Sequence, residues 1–174
     1  VGSEMCIRDR GYVSKDRDVE SLCLNASIED NISIAGMSEF AINNFLILKN
    51  REKKYVNHQI EELSIKCAGR DQSVSQLSGG NKQKVVFGKW IGCGSEILIL
   101  DCPTRGVDIG VKQAMYQLMV RLKNEGKSIL MISEELPELI GMSDRILIMK
   151  NGEVSAEFER SETLSDAQII EYMI

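Results

Sequence analysis

The stretch Leu77-Ser78-Gly79-Gly80-Asn81-Lys82-Gln83, followed by the apolar run Ile97-Leu98-Ile99-Leu100 that ends in Asp101, decides how this sequence is read. Two glycines after a serine let backbone amides approach an anion closely. The helix that follows turns its N-terminus, the positive end of its dipole, toward the same point. Ser78, Gly79 and Gly80 are therefore a candidate phosphate clamp. Ser-Gly-Gly alone is also a common loop, so the context decides. Between Gly80 and Asp101 there is room for one helix, a short turn and one strand. A strand ending in Asp101 suits a magnesium site, because carboxylates at the carboxyl ends of parallel strands face the ligand crevice of such sheets.

Downstream of Gly80 the pattern alternates helix with buried strand, the mark of an α/β layer with parallel strands. Asp108 is placed to cap a helix whose apolar face is Val111, Met115, Leu118, Met119 and Leu122, with Gly126 as its stop. Ser128 to Ser133 reads as the next buried strand. Arg145 to Met149 and Glu153 to Phe158 flank Asn151-Gly152, a strong hairpin signal, and predict an antiparallel ribbon. Ser165 and Gln168 form a capping box for a last helix carrying Ile169, Ile170 and Met173. Upstream, Glu39 to Lys66 reads as helical, with Val56, Ile60 and Leu63 on one face. Gly11 to about Asn31 is polar and loop-like. Val1 to Arg10 shows no periodicity and is set aside as a non-native or disordered leader, which leaves 11–174 as one unit, cut at its front.

Composition narrows the function classes. The chain has 174 residues and a net charge of -5, enough length for a real core and the wrong balance for a phosphate backbone as main partner, which needs clustered Lys and Arg. No apolar run approaches the roughly 20 residues that span a bilayer. Any membrane association would need a partner subunit. The five cysteines are odd in number, scattered and without a C-x-x-C pair, so they read as thiols in a reducing compartment.

LSGGNKQK, ILILDCPT, RGVD, SEELPE and MSDRILIMKNGE, in that order, resemble the second cassette of a ribose- or galactose-type sugar-importer ATPase of the ATP-binding cassette family, over roughly Gly11 to the end. The resemblance implies an α/β P-loop NTPase fold. A helical subdomain would occupy about 27–90, and the core with a C-terminal β-hairpin about 91–174. It also implies ATP and Mg2+ as cofactors. Ser78, Gly79, Gly80 and Asn81 would match the signature motif and clamp ATP held by the opposite cassette. Asp101 would hold magnesium through water at this cassette's own site, and Asp108 would fall in the D-loop. The implied partners are an N-terminal cassette, fused or separate, transmembrane permease subunits and, indirectly, a sugar-binding protein, at the cytoplasmic face of the membrane and with no nucleic acid. A soluble cassette ATPase acting on nucleic acid or the translation machinery, and a non-functional truncated cassette, are the alternatives.

Three departures from the family pattern matter. Cys102 stands where hydrolytic cassettes place a glutamate that polarises the attacking water; a thiol with an ordinary pKa of about 8.5 is mostly protonated at neutral pH and is a poor acceptor. Glu134 stands where such cassettes usually have a histidine, and a carboxylate there repels a γ-phosphate. Lys15, in Ser14-Lys15-Asp16-Arg17, aligns with the glutamine of the Q-loop. Gly126-Lys127-Ser128 is the single P-loop candidate, and it fails: position 121 is Arg instead of Gly, and the triplet follows a helix and precedes a strand, the reverse of the required order. The P-loop and its strand are thus expected upstream. Plainer readings cover the rest: His58 as a solvated surface residue, Trp90 as core, Met115 and Met119 as packing, and Arg105 as an ion-pair partner or a contact to nucleotide or the facing cassette.

Overall fold

A computed structural model describes residues 9–42, 46–161 and 163–173. It divides into two compact units, one running to Leu130 and the other from Met131. The leader reading of 1–10 falls mostly outside the described residues. Its last two positions are ordered by the sheet: the Asp9 carbonyl accepts from Glu96 N and Ile97 N, both at 2.9 Å, and Arg10 opens the first strand.

In the first unit β1 (Arg10–Val13) runs parallel to β4 (Ile97–Asp101), with Tyr12 opposite Ile99 and Val13 opposite Leu100. The described strands of this sheet follow the order β1-β4-β5, where β5 is Ser128–Ile132. The loop reading of Gly11 to Asn31 is therefore corrected. β1 has four residues, too few to display a period, and the partner that gives it meaning lies some ninety positions downstream. A π-helical turn, Arg17–Ser21, follows it, and then α1 (Ile28–Ser33), whose N-terminus Ser27 and Asp30 close with a capping box.

The stretch read as helical from Glu39 to Lys66 also contains strands. It holds α2 (Met37–Phe40), a short antiparallel pair β2 (Ala41–Ile42) and β3 (Leu46–Ile47), and then α3 (Lys49–Glu62). Val56 and Leu63 are buried, as their spacing predicted. His58 is exposed on α3, 3.5 Å from the Glu62 carboxylate.

The helix that begins in the signature stretch, α4 (Gly79–Gly92), packs on β1, α1 and α3 and buries Gln83, Val85, Val86 and Phe87 almost completely. Those side chains, with Val13, Leu98, Leu100, Ile28 and Ile32, make the core of the unit. Trp90 is half-buried, with the Lys89 ammonium 5.1 Å from its ring centre, and half-burial pushes that lysine's pKa down. α5 (Ile109–Asn124) buries Met115, Leu118, Met119 and Leu122, the face expected of it. It ends at Gly126, where Lys127 N returns to the Leu122 carbonyl at 3.0 Å.

The second unit carries α6 (Leu136–Met142), the antiparallel strands β6 (Arg145–Lys150) and β7 (Glu153–Glu159), and α7 (Asp166–Ile170). Asn151 and Gly152 both take positive φ, 53° and 84°, the two left-handed positions of a tight hairpin turn. Ile146, Ile148 and Ile169 form its core. Ser165 and Gln168 do make the capping box.

Candidate functional site

Ser78 is the N-cap of α4 in extended backbone (φ -64°, ψ 156°), and its side chain makes no cap hydrogen bond. Lys82 N donates to the Ser78 carbonyl at 2.9 Å, and the amides that precede it in the first turn have no intrahelical acceptor. Asn81 explains where the serine side chain goes: its Nδ2 donates to Ser78 Oγ at 2.9 Å, while its Oδ1 accepts from Lys66 N at 2.8 Å. The hydroxyl oxygen is thus occupied as an acceptor and its proton is directed elsewhere. Ser78 stays exposed. An exposed N-cap hydroxyl at the positive end of a helix dipole, beside first-turn amides without intrahelical acceptors, is chemically fit to receive an anion.

The two glycines answer two different neighbours. A Cβ on Gly80 would stand 2.6 Å from Val111 Cγ2, so the start of α4 and the start of α5 meet too closely for any side chain. A Cβ on Gly79 would stand 3.0 Å from the Arg17 guanidinium and 3.6 Å from the Gly106 carbonyl. α5 itself begins at Asp108, whose Oδ1 accepts from Val111 N at 2.9 Å as a side-chain N-cap. The structure therefore gathers Gly79, Gly80, Asp108 and the 105–106 segment at one place.

Asp101 closes β4. Its Oδ2 accepts from the Tyr12 hydroxyl at 3.2 Å, and desolvation together with that carboxylate pushes the phenol's pKa up. The chain then turns sharply: Cys102 has φ +46°, unusual for a residue with a side chain, and Arg105 N closes on the Cys102 carbonyl at 3.0 Å. Lys15 lies in the turn after β1 and is half-buried. Glu134 belongs to the second unit, exposed on the bend between β5 and α6. Nearby in that unit, Ser133 Oγ donates to the Glu138 carboxylate and accepts from Glu135 N at 3.1 Å.

Two residues that sequence reasoning passed over belong to this place: Tyr12 on Asp101, and Arg17, whose Nη1 donates to the Arg105 carbonyl at 3.1 Å. Arg17 was visible within Ser14-Lys15-Asp16-Arg17, yet no local pattern marks it. Cys23, Cys67, Cys93 and Cys102 form no disulfide among the described residues, and Cys6 lies outside them.

Among solved structures the fold is that of nucleotide-binding cassettes. A dimeric ATP-binding cassette in a post-hydrolysis state with ADP and Pi matches 91% of the chain and 68% of its own length, at a TM-score of 0.73 and 18% identity. An ATP-binding cassette of an ABC transporter in its ADP conformation matches 97% and 69%, at 0.71 and 21%. No protein-family profile matches the chain. Its fold and its relatives are those of the ATP-binding cassette family.

Within that family it is similar to proteins named ribose import ATP-binding protein RbsA. It is 44% identical over 156 residues to the one from Bacillus subtilis (strain 168), which covers 90% of this chain and 31% of that protein. The relative from Clostridium tetani is 40% identical over 163 residues, 94% of this chain and 32% of that protein. The chain thus spans about a third of the length of the curated relatives it matches.

Proposed function

We propose that this chain is the signature-bearing part of the second cassette of a sugar importer's ATP-binding protein, and that it serves an ATP molecule held by a partner cassette. The observation that carries the reading is the start of α4: an exposed Ser78 N-cap, two glycines that follow it at the first turn, and Asn81 holding the serine hydroxyl. The likeness to ribose import ATP-binding proteins supports sugar import as the work to which nucleotide binding is coupled. In that arrangement the partners are an N-terminal cassette, membrane permease subunits and, through them, a sugar-binding protein. The chain works at the cytoplasmic face of the membrane. No helix among the described residues is long and apolar enough to cross a membrane itself.

At this cassette's own site, Asp101 is the residue that would hold magnesium, through water. The donor set fits: one half-buried carboxylate at the end of β4 suits an ion that keeps most of its waters and binds through one or two carboxylates and nucleotide phosphates. Bound there, the ion would neutralise phosphate charge. The chain's own contribution beside it is weak, because Cys102 in the glutamate position offers water a poor acceptor. The site in cis is thus degenerate, and hydrolysis belongs to the partner's site.

The test is steady-state ATPase activity of the complete two-cassette protein carrying Ser78→Arg, which fills the clamp with a side chain. Loss of at least tenfold in kcat is expected; unchanged activity would sink the trans-clamp reading.

A further inference from the structure

Arg17 lies at an electrostatically awkward place. Its guanidinium lies 3.0 Å from where a Gly79 Cβ would sit, beside the N-terminal, positive end of α4, where a cation is disfavoured. Something other than the helix dipole must set its position. The contacts name it: Nη1 donates to the Arg105 carbonyl at 3.1 Å and reaches Gln83 Oε1 at 3.5 Å, the outer limit of a hydrogen bond. Nε lies 3.9 Å from the Asp18 carboxylate. The neighbouring Asp18 in turn pairs with Lys82 Nζ at 2.9 Å. One side chain from the turn after β1 therefore grips both the first turns of α4 and the chain that leads from Cys102 to Asp108.

These partners are 66 and 88 residues from Arg17 in sequence, so the contact is a tertiary device and not a by-product of a local turn. Glycine at position 79 leaves the space the guanidinium fills. Both hydrogen bonds leave from the one nitrogen, Nη1, so the grip depends on where the long side chain places that donor.

We infer that Arg17 is a positioning residue, a strap that ties the signature helix to the 105–106 segment and makes both follow the turn after β1, the turn that also carries Lys15. This rests on the reading of Ser78 to Asn81 as a trans clamp: the strap would keep that clamp and the helix begun by Asp108 in register when the turn moves.

Amide hydrogen exchange on the chain itself tests the strap without any activity. Lys82 N and Arg105 N are each hydrogen-bonded, to the Ser78 and Cys102 carbonyls. Arg17→Ala is expected to speed exchange at both about tenfold, and Gly79→Ala, which crowds the guanidinium at 3.0 Å and meets the Gly106 carbonyl only at an ordinary contact distance of 3.6 Å, to speed both by less. Acceleration at one amide alone, or at neither, overturns the strap. Should Arg17→Ala fail to fold, Gly79→Ala carries the same two readouts.

In the complete two-cassette protein Arg17→Ala is expected to lower kcat about tenfold with KM for ATP within about twofold. A change confined to KM also overturns it. If Ser78→Arg is inactive while Arg17→Ala keeps full kcat, the strap alone fails. If Ser78→Arg is fully active, the trans-clamp reading fails and the exchange result still decides the strap.

Discussion

The Tyr12 hydroxyl donates to Asp101 Oδ2 across 3.2 Å, from a strand near the start of the chain to the acid that ends the neighbouring parallel strand. The bond holds the phenol in its neutral form, because ionising it would place two negative charges side by side. Desolvation and that carboxylate both raise the pKa above its ordinary 10.0. Tyr12→Phe difference titration, followed by phenolate absorbance, should show this tyrosine ionising above 10, and Asp101→Asn should bring it back toward 10. The sign for stability follows: a proton held more tightly in the fold adds stability that is fully present below pH 10 and is lost as pH rises through the raised value. A Tyr12 titration at or below the ordinary value would contradict the contact.

Gly80 against Val111 is a second contact with a measurable cost. An alanine at 80 would place its Cβ 2.6 Å from Val111 Cγ2 and 3.1 Å from Cγ1, and a β-branched side chain has no easy rotamer to retreat to. Overpacking of this kind costs about 1–3 kcal/mol, partly offset by the better helix propensity of alanine, worth roughly 0.5–1 kcal/mol. Gly80→Ala should lower the urea midpoint accordingly. Adding Val111→Ala should recover most of the loss, so the two changes together should cost less than their sum. Strict additivity would show that the clash is relieved elsewhere.

How far the sequence carried depends on the distance over which each signal acts. The helix from Asp108 to Gly126, the hairpin at Asn151-Gly152 and the capping box of Ser165 and Gln168 are written within a few residues of themselves, and each took the form expected. β1 is not: four residues, Arg10–Val13, are defined by pairing with Ile97 to Leu100. The division of 39–66 into a strand pair and a shorter helix was hidden for a related reason, since two-residue strands leave no period to read. Within the site the motif residues stood out by type and order. Arg17 and Tyr12 did not, because their partners lie 88 and 89 residues away.

Asp108 caps α5 through the hydrogen bond from Val111 N, and it does so beside the Gly80 contact. Asp108→Ala removes that acceptor and should destabilise the chain by about 1 kcal/mol, within the roughly 0.5–2 range of lost caps. Asp108→Ser retains an oxygen able to cap and should cost only a few tenths. The comparison is best made by chemical denaturation at neutral pH. Equal losses for alanine and serine would mean that Asp108 stabilises this turn by some other route than capping.

Cys102 has φ +46° immediately after Asp101, and the Arg105 amide closes a turn on its carbonyl. A residue with a Cβ in that left-handed region costs roughly 1–2 kcal/mol relative to one without. Substituting glycine relieves the strain; substituting alanine does not, and both remove the thiol and whatever it touches. The difference between the two variants therefore isolates the backbone. Cys102→Gly should be more stable than Cys102→Ala by about 1 kcal/mol, somewhat less than the full strain because glycine also gives the unfolded chain more freedom. If alanine is the more stable of the two, the turn after Asp101 is not strained in solution. A confirmed difference would mean that any side chain at this position, a glutamate included, is held at a backbone angle it does not prefer, so that the water-facing geometry after Asp101 is set by the turn before it is set by the side chain.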